Sequence, residues 1–134
     1  MGLSPSAMFR RLRAPLTNNF WSWGAVRDDG TVFLRVWQDE RQARAGKQFI
    51  RLINHAAYAA NTDNHGYRER LRHLDLIRGG APAYLVVCRA VDVTAQPREI
   101  ASFDEREVLL LGEIVLIDGD EWGEIAGRAK ASTV

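Results

Sequence analysis

"WSWGAVRDDGTVFLRVWQ" (Trp21–Gln38) holds two apolar stretches, Trp21–Val26 and Thr31–Gln38, on either side of Asp29-Gly30. An Asp-Gly pair readily supplies the positive φ angles of a tight hairpin turn, so the segment predicts two antiparallel strands. In the second strand, alternation puts Val32, Leu34 and Val36 on one face and Phe33, Arg35 and Trp37 on the other. The same rule places Trp21 and Trp23 together, with Ser22 opposite. Three of the four tryptophans fall in this segment. Each ring is bulky and carries one N–H that needs a partner. The cluster is either the end of a core or a box for a flat ligand. Arg35, in register with Phe33 and Trp37, favours the box.

Further along, "KQFIRLIN" (47–54) alternates as a third strand. "HAAYAANTDNHG" (55–66) predicts a short helix and "YRERLRHLDLIRGG" (67–80) a better one, closed by two glycines and Pro82. "AYLVVCRAVDV" (83–93) is nearly all apolar and reads as a central strand covered on both faces. "QPREIASF" (96–103) is a further strand. Ser102-Phe103-Asp104-Glu105 has the form of a capping box, which predicts a helix over 104–111. A strand through "EVLLLGEIVLI" (107–117) is the competing reading. "GEIVLID" and "EWGEIAGR" form a hairpin around Asp118-Gly119-Asp120. These elements predict an α+β domain: a small, mixed, mostly antiparallel β-barrel with two or three short helices. The whole of 1–134 reads as one domain, with 1–16 a flexible basic arm, 17–128 the barrel and 129–134 a flexible tail.

The 134 residues are 46% hydrophobic and 26% charged, an ordinary globular balance. No apolar run approaches the ~20 residues of a membrane-spanning helix. Nor does the start carry the continuous apolar stretch of a secretory signal. The single cysteine, Cys88, lies in an apolar run and predicts a reducing, cytoplasmic setting. Residues 1–80 hold 13 Lys and Arg against 7 Asp and Glu, whereas 81–134 hold 5 against 10. Such a split predicts either a basic face for a polyanion or interleaved charges on a solvated surface.

The sequence contains no cysteine pair for zinc, no glycine-rich phosphate loop and no nucleophile elbow. His55, Asn61 and His65 lack the spacing of a metal-finger nuclease. Cys88 reads as an inert core residue. The pairs Asp28/Asp29, Asp39/Glu40 and Asp118/Asp120 read as turn residues. A binding protein without metal or cofactor is therefore expected rather than an enzyme.

The order of these elements resembles the PUA-like superfamily, in particular its EVE and ASCH branches. The resemblance rests on a tryptophan-containing first strand, an early hairpin, a helix ending in "LIRGG" and the apolar strand "AYLVVCRAVDV", and covers about residues 20–93. The ASCH pattern Gly-x-Lys-x-x-Glu-x-Arg is incomplete, because Gly46-Lys47 lead to Arg51 with no glutamate between. The resemblance implies nucleic-acid binding, with a modified base held in an aromatic pocket. On that reading Trp21, Trp23 and Trp37 stack the base, and Asn18, Asn19 and Ser22 bond its edge. Arg35, Arg68, Arg70 and Arg72 would contact phosphates or stack. Two rival readings stay open. One is a protein-interaction or accessory subunit of a larger defence or modification system. The other is a small-molecule-binding protein or enzyme with an unrecognised site. Oligomeric state is not specified by the sequence.

Overall fold

The Asp29-Gly30 turn folds as its residues dictate. Gly30 takes a φ of +90°, and Asp29 Oδ1 accepts from the Thr31 N–H at 3.0 Å. β1 (Gly24–Val26) then returns antiparallel against β2 (Val32–Trp37). The computed structural model describes residues 3–134. Its other strands are β3 (Arg41–Arg44), β4 (Lys47–Ile53), β5 (Ala83–Ala90), β6 (Ile100–Phe103), β7 (Glu107–Ile117) and β8 (Asp120–Lys130). Two α-helices, α1 (Pro5–Arg11) and α2 (His65–Arg78), complete the regular structure with 3₁₀ turns at Ala56–Tyr58 and Ala131–Thr133. The architecture is α+β.

All eight strands join one sheet in the order β1-β2-β5-β7-β8-β4-β3, with β6 paired to β5. β2 and β5 run parallel; every other pairing is antiparallel. A parallel pair needs a long crossover, and here β3, β4 and α2 supply it. α2 starts at Asn64, whose Oδ1 accepts from the Tyr67 N–H at 3.0 Å. It ends at Gly79, followed by Gly80 at φ +110°. β2 and β4 approach each other without sharing a ladder, so the sheet does not close there.

β2 and β5 are covered on both faces. Val32, Leu34, Val36, Leu85 and Val87 join Ile50, Leu52 and Leu74 in the main core. Phe33 and Val86 join Met8, Phe9 and Leu12 in a second core. Fully burying such a side chain contributes roughly 1.5–3 kcal/mol, so α1 is a structural part of the domain. Among the described residues, no helix is long and apolar enough to cross a membrane.

Several expectations are corrected. The segment read as a flexible basic arm contains α1, capped by Ser4, with Met8 and Phe9 fully buried; Met1 and Gly2 of that segment lie outside the described residues. The segment read as a flexible tail is docked as well. Ala131 is buried, and Arg27 and Arg13 donate to the Val134 carbonyl at 3.0 and 3.2 Å. The helix expected over 104–111 is strand β7. Asp104 Oδ1 accepts from the Arg106 and Glu107 N–H groups in a turn, and Val108–Leu111 pair with β8. A run of β-branched residues and leucines with a partner strand outweighs a four-residue cap signal. Finally, only Gly24–Val26 of the expected first strand is β. Trp21 and Trp23 sit in the turn before it.

Candidate binding cleft

The gap between β2 and β4 is where the site forms. A cleft of about 210 Å³ opens there, lined by Trp23, Arg35 and Trp37 from the β1–β2 region, Arg51 from β4, Tyr58 from the first 3₁₀ turn, and Arg98 from the β5–β6 loop. This is below the roughly 300–1,000 Å³ of pockets for drug-sized ligands, which suits one planar ring system.

Arg70 closes the inner end of the gap. The residue is 3% exposed. It donates to the Leu52 carbonyl on β4, and at 2.9 and 2.7 Å to the carbonyls of Trp23 and Arg35. These bonds tie together the strands that lack a shared ladder. Burial, with the neighbouring Arg35, pushes the Arg70 pKa down to about 9; the group is still a cation at neutral pH.

The aromatic walls are individually supported. Trp23 lies 5.2 Å from Tyr58, centroid to centroid. Tyr58 in turn stacks on Tyr67 at 5.0 Å and 18°. The Tyr67 hydroxyl and His55 Nδ1 are 2.7 Å apart, His55 Nε2 lies 2.8 Å from Glu121, and Arg78 also pairs with Glu121. On the other wall, Arg98 sits over the Trp37 ring at 5.3 Å. It is fixed there by a two-pronged pair with Asp39 at 2.8 and 3.0 Å.

Three of the cleft's four arginines are committed. Arg51 pairs with Glu40 and with Asp120, Arg98 with Asp39, and Arg70 with backbone carbonyls. The Arg35 guanidinium has no hydrogen-bond or ion-pair partner among the described residues. Its nitrogens are also not among the atoms sealed without one, so they open to the cleft. Burial lowers its pKa, and the groups opposing that shift are the Cys88 thiol and the Tyr58 phenol rather than a carboxylate. A guanidinium keeps its charge regardless. The cleft therefore presents flat aromatic rings and one uncommitted planar cation.

The structure brings together Trp23, Trp37, Arg35 and Arg70 of the residues singled out in the sequence, and separates the others. Trp21 packs against His65 at 5.2 Å with the rings tilted by 33°, outside the cleft lining. Asn18 Oδ1 accepts from the Phe20 and Trp21 N–H groups. The Asn18 N–H donates to Ser22 Oγ at 3.0 Å, and Ser22 Oγ donates to Glu69 at 3.3 Å. Asn18 and the buried Ser22 thus build the turn, while Asn19 is an exposed turn residue. Arg70 points inward and is unavailable to a phosphate. Arg68 and Arg72 are exposed on the outer face of α2, with Asp63 3.8 Å from Arg68. His73, on the same helix, is buried.

Tyr58, Arg51 and Arg98 were not singled out in the sequence. Arg51 had a usable signal, a charge between Ile50 and Leu52 in an otherwise apolar strand. Tyr58 and Arg98 sit in segments with no periodicity, so only tertiary structure assembles them with Trp37. Among the described residues, no group of three or more His, Cys, Asp or Glu could hold a metal ion. No protein-family model matches the chain, and neither the curated proteins nor the solved structures contain a match.

Proposed function

We propose that this chain is a nucleic-acid-binding reader with a PUA-like, barrel-type fold, which accepts one unstacked base into the cleft between Trp23, Tyr58 and Trp37. The observation that carries the reading is Arg35, an uncommitted guanidinium among aromatic rings in a cleft sized for a single ring system. Base–aromatic stacking is worth about 1–3 kcal/mol per base. That offsets most of the few kcal/mol needed to unstack a base. The exposed Arg68 and Arg72 of α2 supply positive charge for the backbone.

The test is binding of labelled single- and double-stranded oligonucleotides, methylated and unmodified, at two salt concentrations. Affinity is expected to fall as salt rises, because phosphate contacts release counterions. Trp37→Ala is expected to weaken binding about tenfold through lost stacking. No binding, or binding indifferent to salt, overturns the reading. A methylated strand preferred over its unmodified counterpart would support a modified base as the ligand.

A further inference from the structure

We infer that the base held in the cleft is one that turns a pair of hydrogen-bond acceptors toward Arg35, as guanine does with O6 and N7. This rests on the base-binding reading above and adds to it which edge is read.

The donor and acceptor balance of the cleft carries the inference. Arginine offers five N–H donors in a rigid fork and accepts nothing. Arg35 lies between Trp23 and Trp37 in the chain, and all three line the cleft. A ring stacked on those walls would present its edge to the guanidinium. The carboxylate lining the cleft, Glu40, is engaged by Arg51. Asp39, beside Arg98, is engaged from both its oxygens. The Asn54 side-chain oxygen already accepts from the Ala57 N–H at 3.2 Å. A base that offers an amino group, such as the N4 amine of cytosine, meets carboxylates whose charge Arg51 and Arg98 already neutralise. A base that offers two acceptors finds an open fork. Bidentate arginine recognition of guanine O6 and N7 is the commonest specific contact to a base edge.

Phosphate is the other acceptor-rich group an arginine could hold, so the experiment keeps the phosphates constant. Duplexes of identical length and flanks carry one central unpaired guanine, 7-deazaguanine, adenine, cytosine or thymine. Binding is measured by anisotropy at one salt concentration, with wild type, Arg35→Gln, Arg35→Lys and Trp37→Ala. Circular dichroism confirms that each variant is folded. The guanine duplex is expected to bind about tenfold more tightly than the adenine and cytosine duplexes, the size of one good bidentate contact. Removing N7 in 7-deazaguanine should erase most of that preference. Arg35→Lys keeps the charge but loses the fork, so it should bind all the duplexes with little discrimination. Trp37→Ala should weaken all of them together.

Equal affinity for every unpaired base, or a preference for cytosine or adenine, overturns the acceptor-edge inference and leaves the base-binding reading standing. A guanine preference that survives in Arg35→Lys also overturns it, since the fork would not be the reader. No affinity for any duplex overturns both.

Discussion

Nη2 of Arg70 lies 2.7 Å from the carbonyl oxygen of Arg35, so a sealed cation fixes the backbone of the residue whose own side chain is the open cation of the cleft. The pairing explains why two arginines occupy so small a space. One replaces missing strand–strand hydrogen bonds, and the other is left for a ligand.

Truncation of Arg70 tests the structural half of that relationship. Arg70→Met fills much of the same space but leaves the carbonyls of Leu52, Trp23 and Arg35 without this donor. Stability in urea should fall by about 1–3 kcal/mol, the cost of leaving buried carbonyls unsatisfied. Arg70→Lys should also be destabilising, because one ammonium cannot span both sides of the gap. A loss under about 1 kcal/mol for either variant would mean that the carbonyls find other donors.

Gly66 offers a second test of how the cleft wall is held. A Cβ there would lie 2.4 Å from Trp23 Cε2, 2.5 Å from its Nε1 and 2.8 Å from the Trp21 carbonyl. Alanine is intrinsically better than glycine inside a helix by about 1 kcal/mol, so propensity alone predicts stabilisation. The close contacts include a backbone atom and a ring packed beside Tyr58, and overpacking of this kind costs about 1–3 kcal/mol. Gly66→Ala should therefore be net destabilising and should change the near-ultraviolet dichroism as Trp23 shifts. Unchanged stability and an unchanged spectrum would show that the wall is loosely set.

Much of the scaffold is legible in the chain because its signals are local. The Asp29-Gly30 turn, the alternation in β2 and β4, the apolar run of β5 and the Asn64 and Gly79 ends of α2 all appear as residue patterns. The closed barrel is not confirmed by pairing, because β2 and β4 share no ladder. α1 had a local signal as well: Ser4 before Pro5, then Met8, Phe9 and Leu12 along one stripe, but its arginines invited the reading of a free arm. The strand β7 could not be separated from a helix locally, since its decisive partner, β8, lies across a later turn. The same limit applies to the cleft. Arg35 and Trp37 lie on one strand and could be paired by alternation, whereas Arg98 reaches Trp37 only through the fold. The charge split between the two parts of the chain also dissolves on folding, as Arg51 pairs with Asp120 and Arg78 with Glu121.

Cys88 gives a chemical readout of the core. Its side chain is 1% exposed, and burial pushes the thiol pKa up to about 12. The thiolate is the reactive form, so the native protein should resist a disulfide reagent at pH 8 and react promptly once unfolded in denaturant. Rapid stoichiometric labelling of the native state would show that this part of β5 opens readily.

The pH dependence of stability should carry a signature of His73. Burial, reinforced by Arg70 and Arg72, lowers its pKa from 6.5 to about 4. Between those values the unfolded chain binds a proton that the folded chain refuses. Protons bound preferentially by the unfolded state make stability rise with pH, so this contribution is full above pH 6.5 and is lost as pH falls toward 4. Its size is on the order of 2–3 kcal/mol. Glu69 acts in the opposite sense: burial raises its pKa, so its contribution favours the folded state at low pH and fades as pH rises through the folded-state value. Urea titrations of wild type and His73→Asn at pH 7 and pH 4.5 separate the two, because Glu69 is common to both proteins. The wild type should lose more stability than the variant on going to the lower pH. Equal losses would place the His73 ring in contact with water.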